Sequence, residues 1–219
     1  MTIIESLHSL YQPLSPVERL QKAYHDYADQ ILYTCSFGTT AVFLLDLMAE
    51  ADIRPTVHFI DTGYHFAETQ AYKERLTTYY GLRIIDLHPD PDLHQQTQQT
   101  QLWQTHPDTC CAVNKVNPLQ GIQSQYQIWL SGLMNWQTPH RQGLKIFSEQ
   151  AELLKFCPII DVSPEVLRQH LRTKKLPLHP LQAKGYQSIG CVHCTQPGQG
   201  RTGRWTQTAQ KMECGLHTS

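Results

Sequence analysis

The chain has 219 residues, 40% hydrophobic and 17% charged, with 18 Lys+Arg against 19 Asp+Glu. That length suits one large α/β domain, or one domain with a functional tail, and buries roughly 70–75% of the surface of the unfolded form, so no disulfide staples are needed. The near-cancelling charge argues against a general nucleic-acid binder held by a broad basic field, while leaving room for a local basic pocket for a small anion.

The opening stretch MTIIESLHSLYQPLSP lacks the basic flank, apolar run and small-residue cleavage site of a signal peptide. Apolar runs such as residues 41–49 fall short of the about 20 residues that a bilayer span requires. The expectation is a cytoplasmic protein with no membrane association, in a compartment where thiols stay reduced. There, seven cysteines read as ligands or nucleophiles rather than bridges.

In chain order, residues 16–27 form a leading helix within an N-terminal helical segment, 1–30. Residues 31–35 read as a buried strand, Ser36-Phe37-Gly38 as a turn and residues 40–50 as a helix. A second strand is expected at 56–60, a long helix at 66–80, a third strand at 82–87 and a fourth at 127–130. Residues 90–104 are rich in Gln and Thr and unpatterned, which suggests a surface loop or irregular helix. Ser163-Pro164-Glu165 opens a further helix with good capping chemistry. After Leu176 the pattern dissolves into Pro, Gly, Gln and Arg. That segment holds three of the seven cysteines and so reads as functional.

Strands separated by helices of this length imply right-handed crossovers and a mostly parallel, Rossmann-like sheet flanked by helices. The main α/β unit spans 31–190, with a second cysteine pair and a tail over 191–219. Ligands on such sheets bind beyond the carboxyl ends of the strands, so the loops at Ser36 and Asp61 should share a face. No internal repeat is visible.

Cys110-Cys111 is an adjacent pair, and Cys191-Val192-His193-Cys194 a C-x-x-C about eighty residues later. Four thiolates in two local pairs can close a tetrahedral metal site or hold an iron–sulfur cluster. Adjacent cysteines are unusual for structural zinc, and a cluster offers separate iron atoms to neighbouring sulfurs. The bland alternative is four unconnected buried thiols. Cys35 and Cys157 sit in apolar runs and read as small core residues. Cys214 lies five residues from the end, where a cysteine adds little to packing. It is either a frayed tail residue or a nucleophile that swings in, with Arg201, Arg204 and Lys211 as cations upstream.

Taken together, YTCSFGTTA, FIDTGYHFAET (59–69), CCAVNKVNPL (110–119), LPLHPLQAKGYQSIGCVHC (176–194), RTGRW (201–205) and ECGLH (213–217) resemble the assimilatory adenylyl-sulfate (APS) and phosphoadenylyl-sulfate (PAPS) reductases. The similarity runs from about residue 31 to the end, and CC…CxxC with ECGLH is its most specific part. The resemblance implies an adenine nucleotide alpha hydrolase-like fold with a mobile catalytic tail. It implies a four-iron four-sulfur (4Fe-4S) cluster on Cys110, Cys111, Cys191 and Cys194, and leans toward APS as substrate. Cys214 then attacks the sulfur of the sulfonucleotide, AMP departs, and a thioredoxin or glutaredoxin thiol frees sulfite for cysteine synthesis.

The same resemblance makes Lys115 the link between cluster and substrate, and Arg201 and Arg204 clamps for phosphate or sulfate oxygens. Ser36, Phe37, Gly38 and Thr39 would form the nucleotide loop. SFGTT lacks the Gly-Lys-Ser/Thr of an ATPase P-loop, yet such a turn presents backbone N–H groups and a helix dipole to an anion. Asp61, Thr62 and Gly63 would orient ribose or phosphate, their plainer reading being a helix-capping turn. His217 reads as an exposed tail residue. No nucleic-acid partner is implied, and homo-oligomerisation is left open.

The chain departs from the family at its G-x-R-R-x-Q-S motif. Met134 and Asn135 stand in the two arginine positions, whereas Gln137 and Arg141 match and Thr138 keeps a hydroxyl. Each charge-assisted contact is worth about 1.5–3 kcal/mol, so the loss must be met elsewhere, with Arg141, Lys145 or Lys184 as candidates. Three rivals stand beside the APS reading: a PAPS reductase that keeps the cluster, an iron–sulfur adenylating enzyme of the tRNA-thiolation type, and a non-enzymatic metal-binding protein. An adenylating enzyme would show a loop richer in Gly and Ser and a basic RNA-binding surface.

Overall fold

The computed structural model describes residues 2–150, 153–206, 211 and 213–217. Helices α1 (Ile3–Tyr11) and α2 (Pro16–Tyr27) lead into β1 (Ile31–Thr34), α3 (Ala41–Glu50), β2 (Thr56–Ile60), α4 (Ala67–Tyr80) and β3 (Arg83–Leu87). A helical stretch follows: α5 (Pro91–Gln99), α6 (Leu102–Thr105), α7 (Pro107–Cys111) and α8 (Asn117–Gln123), the last two joined by a π-helical turn, Ala112–Val116. Then come β4 (Ile128–Leu130), α9 (Pro139–Gln142), β5 (Phe147–Gln150), β6 (Leu153–Phe156) and α10 (Pro164–Thr173).

Local chemistry explains most of these boundaries. Ser15 and Glu18 form a reciprocal capping box with Pro16 in the first turn of α2, and Ser163 caps α10 in front of Pro164. Residues 90–104 are helical rather than looped. Asp90 accepts from the amides of Asp92 and Leu93, each at 3.0 Å, and only Thr97 of α5 is buried, so the sequence carries no amphipathic stripe to betray the helix. Strands β5 and β6 are also new; each has four residues, and Glu149 and Lys155 break up their apolar pattern.

The sheet order is β3-β2-β1-β4-β6-β5, parallel throughout except for β5, which runs antiparallel to β6. From β1 the chain winds outward to β3, then returns to place β4 on the other side of β1. The reversal between β1 and β4 opens a crevice at their carboxyl ends, as doubly wound sheets require. Strand alternation divides the two faces. Tyr33, Leu130 and Phe156 lie in register on the face of the large core, whereas Leu32, Trp129 and Lys155 form a row on the opposite, smaller one. Among the described residues, no helix is long and apolar enough to cross a membrane.

The N-terminal helices are tied into this core. Tyr11 packs edge-on against Phe147 and Phe156, with ring centroids 4.8 and 5.8 Å apart. Arg19 is only 3% exposed; its guanidinium grips Asp161 at 2.6 and 2.8 Å and donates to the carbonyls of Tyr11, Gln12 and Pro158. Hydrogen bonding from Arg19 holds the Asp161 carboxyl below its ordinary pKa. Replacing Arg19 by Ala leaves these acceptors without partners and should cost about 2–4 kcal/mol, read as a lower midpoint in urea with unchanged slope. Because the folded pKa of Asp161 is depressed, its contribution is complete above the unfolded value of about 3.9 and is lost as pH falls through the lower folded value. Acid unfolding of the wild type below about pH 4 should therefore show a component missing in Arg19→Ala.

Candidate active site

A cavity of about 520 Å³ occupies the crevice at the switch point. Ser36, Gly38 and Thr39 line it from the loop after β1, Thr62 and His65 from the loop after β2, and Ser131 and Gly132 from the end of β4. The first loop is set by Phe37, whose backbone takes a positive φ of 48° while its fully buried ring packs edge-on to Phe59 at 5.7 Å. That anchor turns Ser36 and Gly38 toward the cavity; the Phe37 ring itself belongs to the core. Thr40 and Ala41 lie on the cavity wall and α3 has no side-chain cap, so the positive end of its dipole faces the space. The Thr39 hydroxyl donates to the Gln187 carbonyl at 2.8 Å, tying this loop to the C-terminal segment.

The second loop divides differently from the sequence expectation. Thr62 lines the cavity, but Asp61 accepts from the Gly63 amide at 3.0 Å and neither Asp61 nor Gly63 reaches the wall. Gly63 has φ +68°, and a Cβ there would meet His94 at 2.7 Å. This glycine serves the turn.

All four paired cysteines collect around one apolar patch with Tyr64, Leu102 and Trp103, where Trp103 stacks on His193 at 4.0 Å. Cys110 and Cys111 end α7, Cys191 precedes the short 3-10 turn Val192–Cys194, and Cys194 ends it. Polar groups are aimed at sulfur: Asn114 Nδ2 lies 3.6 Å from Cys110 Sγ, and Thr62 Oγ1 3.5 Å from Cys191 Sγ. His94 in turn holds the Asn114 amide oxygen at 2.6 Å. Burial, then the neighbouring thiols, push Cys110 up to about 12 and Cys194 up to about 11. Bare thiols are thus poorly accommodated as anions, and a cationic centre would relieve that.

The four thiols are a soft donor set of the kind that iron–sulfur groups use. Among the described residues, the one group of three or more metal-type donors within 4.8 Å of one another is Asp46, Glu50 and His170, whose carboxylates Lys174 already bridges. Four soft thiolates, with hydrogen bonds to sulfur and an apolar shell, fit an iron–sulfur group.

Lys115 sits in the π-helical turn, a distortion common at functional sites. Burial works to lower its pKa, but Cys191, Cys111 and Cys214 outweigh that and hold it above the ordinary lysine value. Conversely, burial opposes the Cys191 thiolate, yet Lys115, the Thr62 hydroxyl and Arg204 bring its pKa below the usual thiol range. One ammonium therefore serves the cysteine patch and the tail thiol together.

Arg201 and Arg204 both line the cavity. Arg204, 8% exposed, passes over Gly190 so closely that a Cβ there would lie 2.2 Å from Nη2. It donates to the Ile189 carbonyl at 3.1 Å and lies over Trp205, while its buried Nε has no partner among the described residues. Burial and the neighbouring Arg204 lower Arg201 to about 10.

Residues 213–217 of the tail are placed against the cavity. Cys214 lines the cavity between a buried Glu213 and a half-buried His217. His217 is not the exposed residue expected; it stacks on Trp129 at 5.3 Å, and burial followed by Lys155 lowers its pKa far below the ordinary value. Lys145 and Lys184 do not line the cavity, Lys184 being paired with Glu68 at 2.8 Å. Met134 is wholly in the core. Arg168 of α10 and Trp136 do line the cavity, and sequence reasoning missed both because α10 is distant in the chain and Trp136 falls at a variable motif position.

The chain has relatives among known proteins. Residues 30–197 match the phosphoadenosine phosphosulfate reductase domain. The chain is 41% identical over 210 residues to the adenosine 5'-phosphosulfate reductase of Bacillus pumilus, covering 90% of this chain and 88% of that one. It is 38% identical to adenosine 5'-phosphosulfate reductase 1 of Bacillus subtilis, with 90% and 88% covered. Among solved structures, the Candida auris phosphoadenylyl-sulfate reductase superposes with a TM-score of 0.73 at 21% identity over 88% of this chain and 97% of that chain. Candida glabrata FMN adenylyltransferase follows at 0.58 and 16%, over 84% and 65%, a likeness of fold alone. Identity at this level across nine-tenths of the sequence is not a matter of shared architecture, and the chain belongs to the phosphoadenosine phosphosulfate reductase family.

Proposed function

We propose that this protein reduces adenosine 5'-phosphosulfate to sulfite and AMP in assimilatory sulfate reduction, supplying sulfite for cysteine biosynthesis, with Cys214 as nucleophile. The observation that carries the reading is that the tail thiol Cys214 lines one cavity with Lys115, Cys191, Arg201 and Arg204. The names of the Bacillus relatives favour adenosine 5'-phosphosulfate over its 3'-phosphorylated form.

In this reaction the cavity takes the nucleotide, with its anionic bridge toward Lys115, Arg201 and Arg204. The open positive end of α3 and the hydroxyls of Ser36 and Thr62 lie on the same wall. The Cys214 thiolate attacks the sulfonate sulfur. An S–S bond forms, the bond from that sulfur to the bridging oxygen breaks, and AMP leaves with the electron pair on its phosphate. Lys115 and the two arginines stabilise charge growing on the leaving oxygen.

A thioredoxin- or glutaredoxin-type dithiol then attacks Cys214 Sγ and sulfite departs with the electron pair. The carrier's second thiol resolves the mixed disulfide, restoring Cys214 and leaving the carrier oxidised. The dithiol supplies both electrons. A 4Fe-4S cluster held by Cys110, Cys111, Cys191 and Cys194 would supply a local electrostatic field. Asn114 and Thr62 would orient two of those sulfurs, and Lys115 would couple them to the substrate end.

The test uses protein purified without oxygen and mixed with adenosine 5'-phosphosulfate or its 3'-phosphorylated form in the absence of reductant. Intact-mass measurement should show one SO3 group added, mapped to Cys214, with the unphosphorylated substrate. Absence of the adduct with both, from protein retaining its visible iron–sulfur absorption, would refute the reading. Cys214→Ser should lower sulfite release on the order of 10⁴-fold or more, as loss of a covalent nucleophile does. Lys115→Met should retain that absorption yet lose about 10²–10³ in kcat, the usual scale for removing one charge stabiliser.

A further inference from the structure

Arg141 stands where a substrate clamp is expected, yet its guanidinium is committed to the chain itself. Nε and Nη2 donate to the two oxygens of Glu213 at 2.6 and 2.7 Å, and Nη1 donates to the Gln137 side chain. The Thr138 hydroxyl adds a bond to the same carboxylate at 3.0 Å, and Arg201 one at 3.3 Å. Arg141 and Glu213 are only 5% and 7% exposed. Burial opposes the carboxylate, but the bonds from Arg141 more than compensate and hold its pKa below the ordinary glutamate value. A planar fork on a carboxylate fixes direction as well as distance, and this one grips the residue immediately before Cys214.

A second seat lies just beyond the cysteine. Gln150 Nε2 donates to the Leu216 carbonyl at 2.6 Å and His140 Nε2 to the His217 carbonyl at 2.9 Å. The His217 ring lies on Trp129, with Nδ1 3.1 Å from Lys155 Nζ. Lys155 is 2% exposed, and its ammonium meets Gln150 Oε1 and His217 Nδ1 but, among the described residues, no carboxylate. A buried lysine with only neutral partners is costly to the core. Its place here is explained by the tail residue it receives.

We propose that Glu213 is a positioning residue, and that Arg141 serves the tail rather than the substrate. The two form a latch that, with the Trp129–Lys155 seat for His217, holds the chain on both sides of Cys214 and so fixes the sulfur above Lys115. Substrate recognition is then left to Lys115, Arg201 and Arg204. The kinetic consequence rests on Cys214 being the reacting thiol; the latch does not.

The experiment follows alkylation of Cys214 by iodoacetamide in cluster-loaded protein kept free of oxygen, read by peptide mass. Glu213→Gln and Arg141→Gln should each speed alkylation about tenfold or more, since either removes one member of a buried pair. The double variant should be no faster than the singles, and Glu213→Asp, which keeps a carboxylate, should return most of the protection. In turnover with adenosine 5'-phosphosulfate, Glu213→Gln and Arg141→Gln should lower kcat with KM little changed. Equal alkylation of wild type and Glu213→Gln would overturn the proposal. So would Arg141→Gln raising KM without speeding alkylation, which would make Arg141 a substrate ligand. Were the reductase reading itself wrong, wild type would show no turnover while the alkylation series still reported on the latch.

Discussion

One ammonium group placed among three sulfurs governs how this site is built. Lys115 is held by Cys111 and Cys191, which belong to the paired cysteines, and by Cys214, which belongs to the tail. In a low-dielectric cavity such a charge cannot stand alone, and neither can the thiolates. Lys115 and Cys191 each favour the ionised form of the other. Bringing them together requires three segments to converge, one before β4 and two after α10.

The sheet makes that convergence possible. Reversal of strand order between β1 and β4 leaves a crevice that no side chain of the sheet fills. The π-helical turn at Ala112–Val116 carries Lys115 to one wall. The C-terminal segment crosses back by way of the Thr39–Gln187 bond and of Arg204 lying over Gly190, closing the other. A Cβ at Gly190 would displace the Arg204 guanidinium.

The smaller face of the sheet has a separate task. Leu32, Trp129 and Lys155 stand in one row across three parallel strands, and alternation alone would make that row a second core. A lysine in it is a local violation of the pattern, of the kind that marks a functional position. Here the violation coincides with the place where the tail returns. His217 covers Trp129, Leu216 packs into the same cluster, and Lys155 finds a partner.

Much of the frame was legible in the sequence. Apolar runs spaced by helical patterns mark β1 to β4 and α2 to α4, since β1, β2 and β4 are buried on both faces of the sheet while the edge strand β3 keeps its apolar Ile84-Ile85 pair. The cysteine pairs are likewise readable from residue type and spacing, whereas the roles expected of Lys115 and of Cys214 in ECGLH come from the resemblance of the motifs around them. What the sequence could not decide is which cations face which anions. Arg141 is as basic on paper as Arg201, yet only folding shows that Glu213, 72 residues away, takes its fork. Phe37 reads as part of a binding loop, and tertiary packing turns its ring into the core. Residues 90–104 hide a helix because their partners, not their periodicity, stabilise it. The sequence by itself determined the parallel α/β frame and the pairing of cysteines, both being local properties of pattern and residue type. The pairing of charges and the seating of the tail depend on distances between remote segments, and those only the tertiary structure decided.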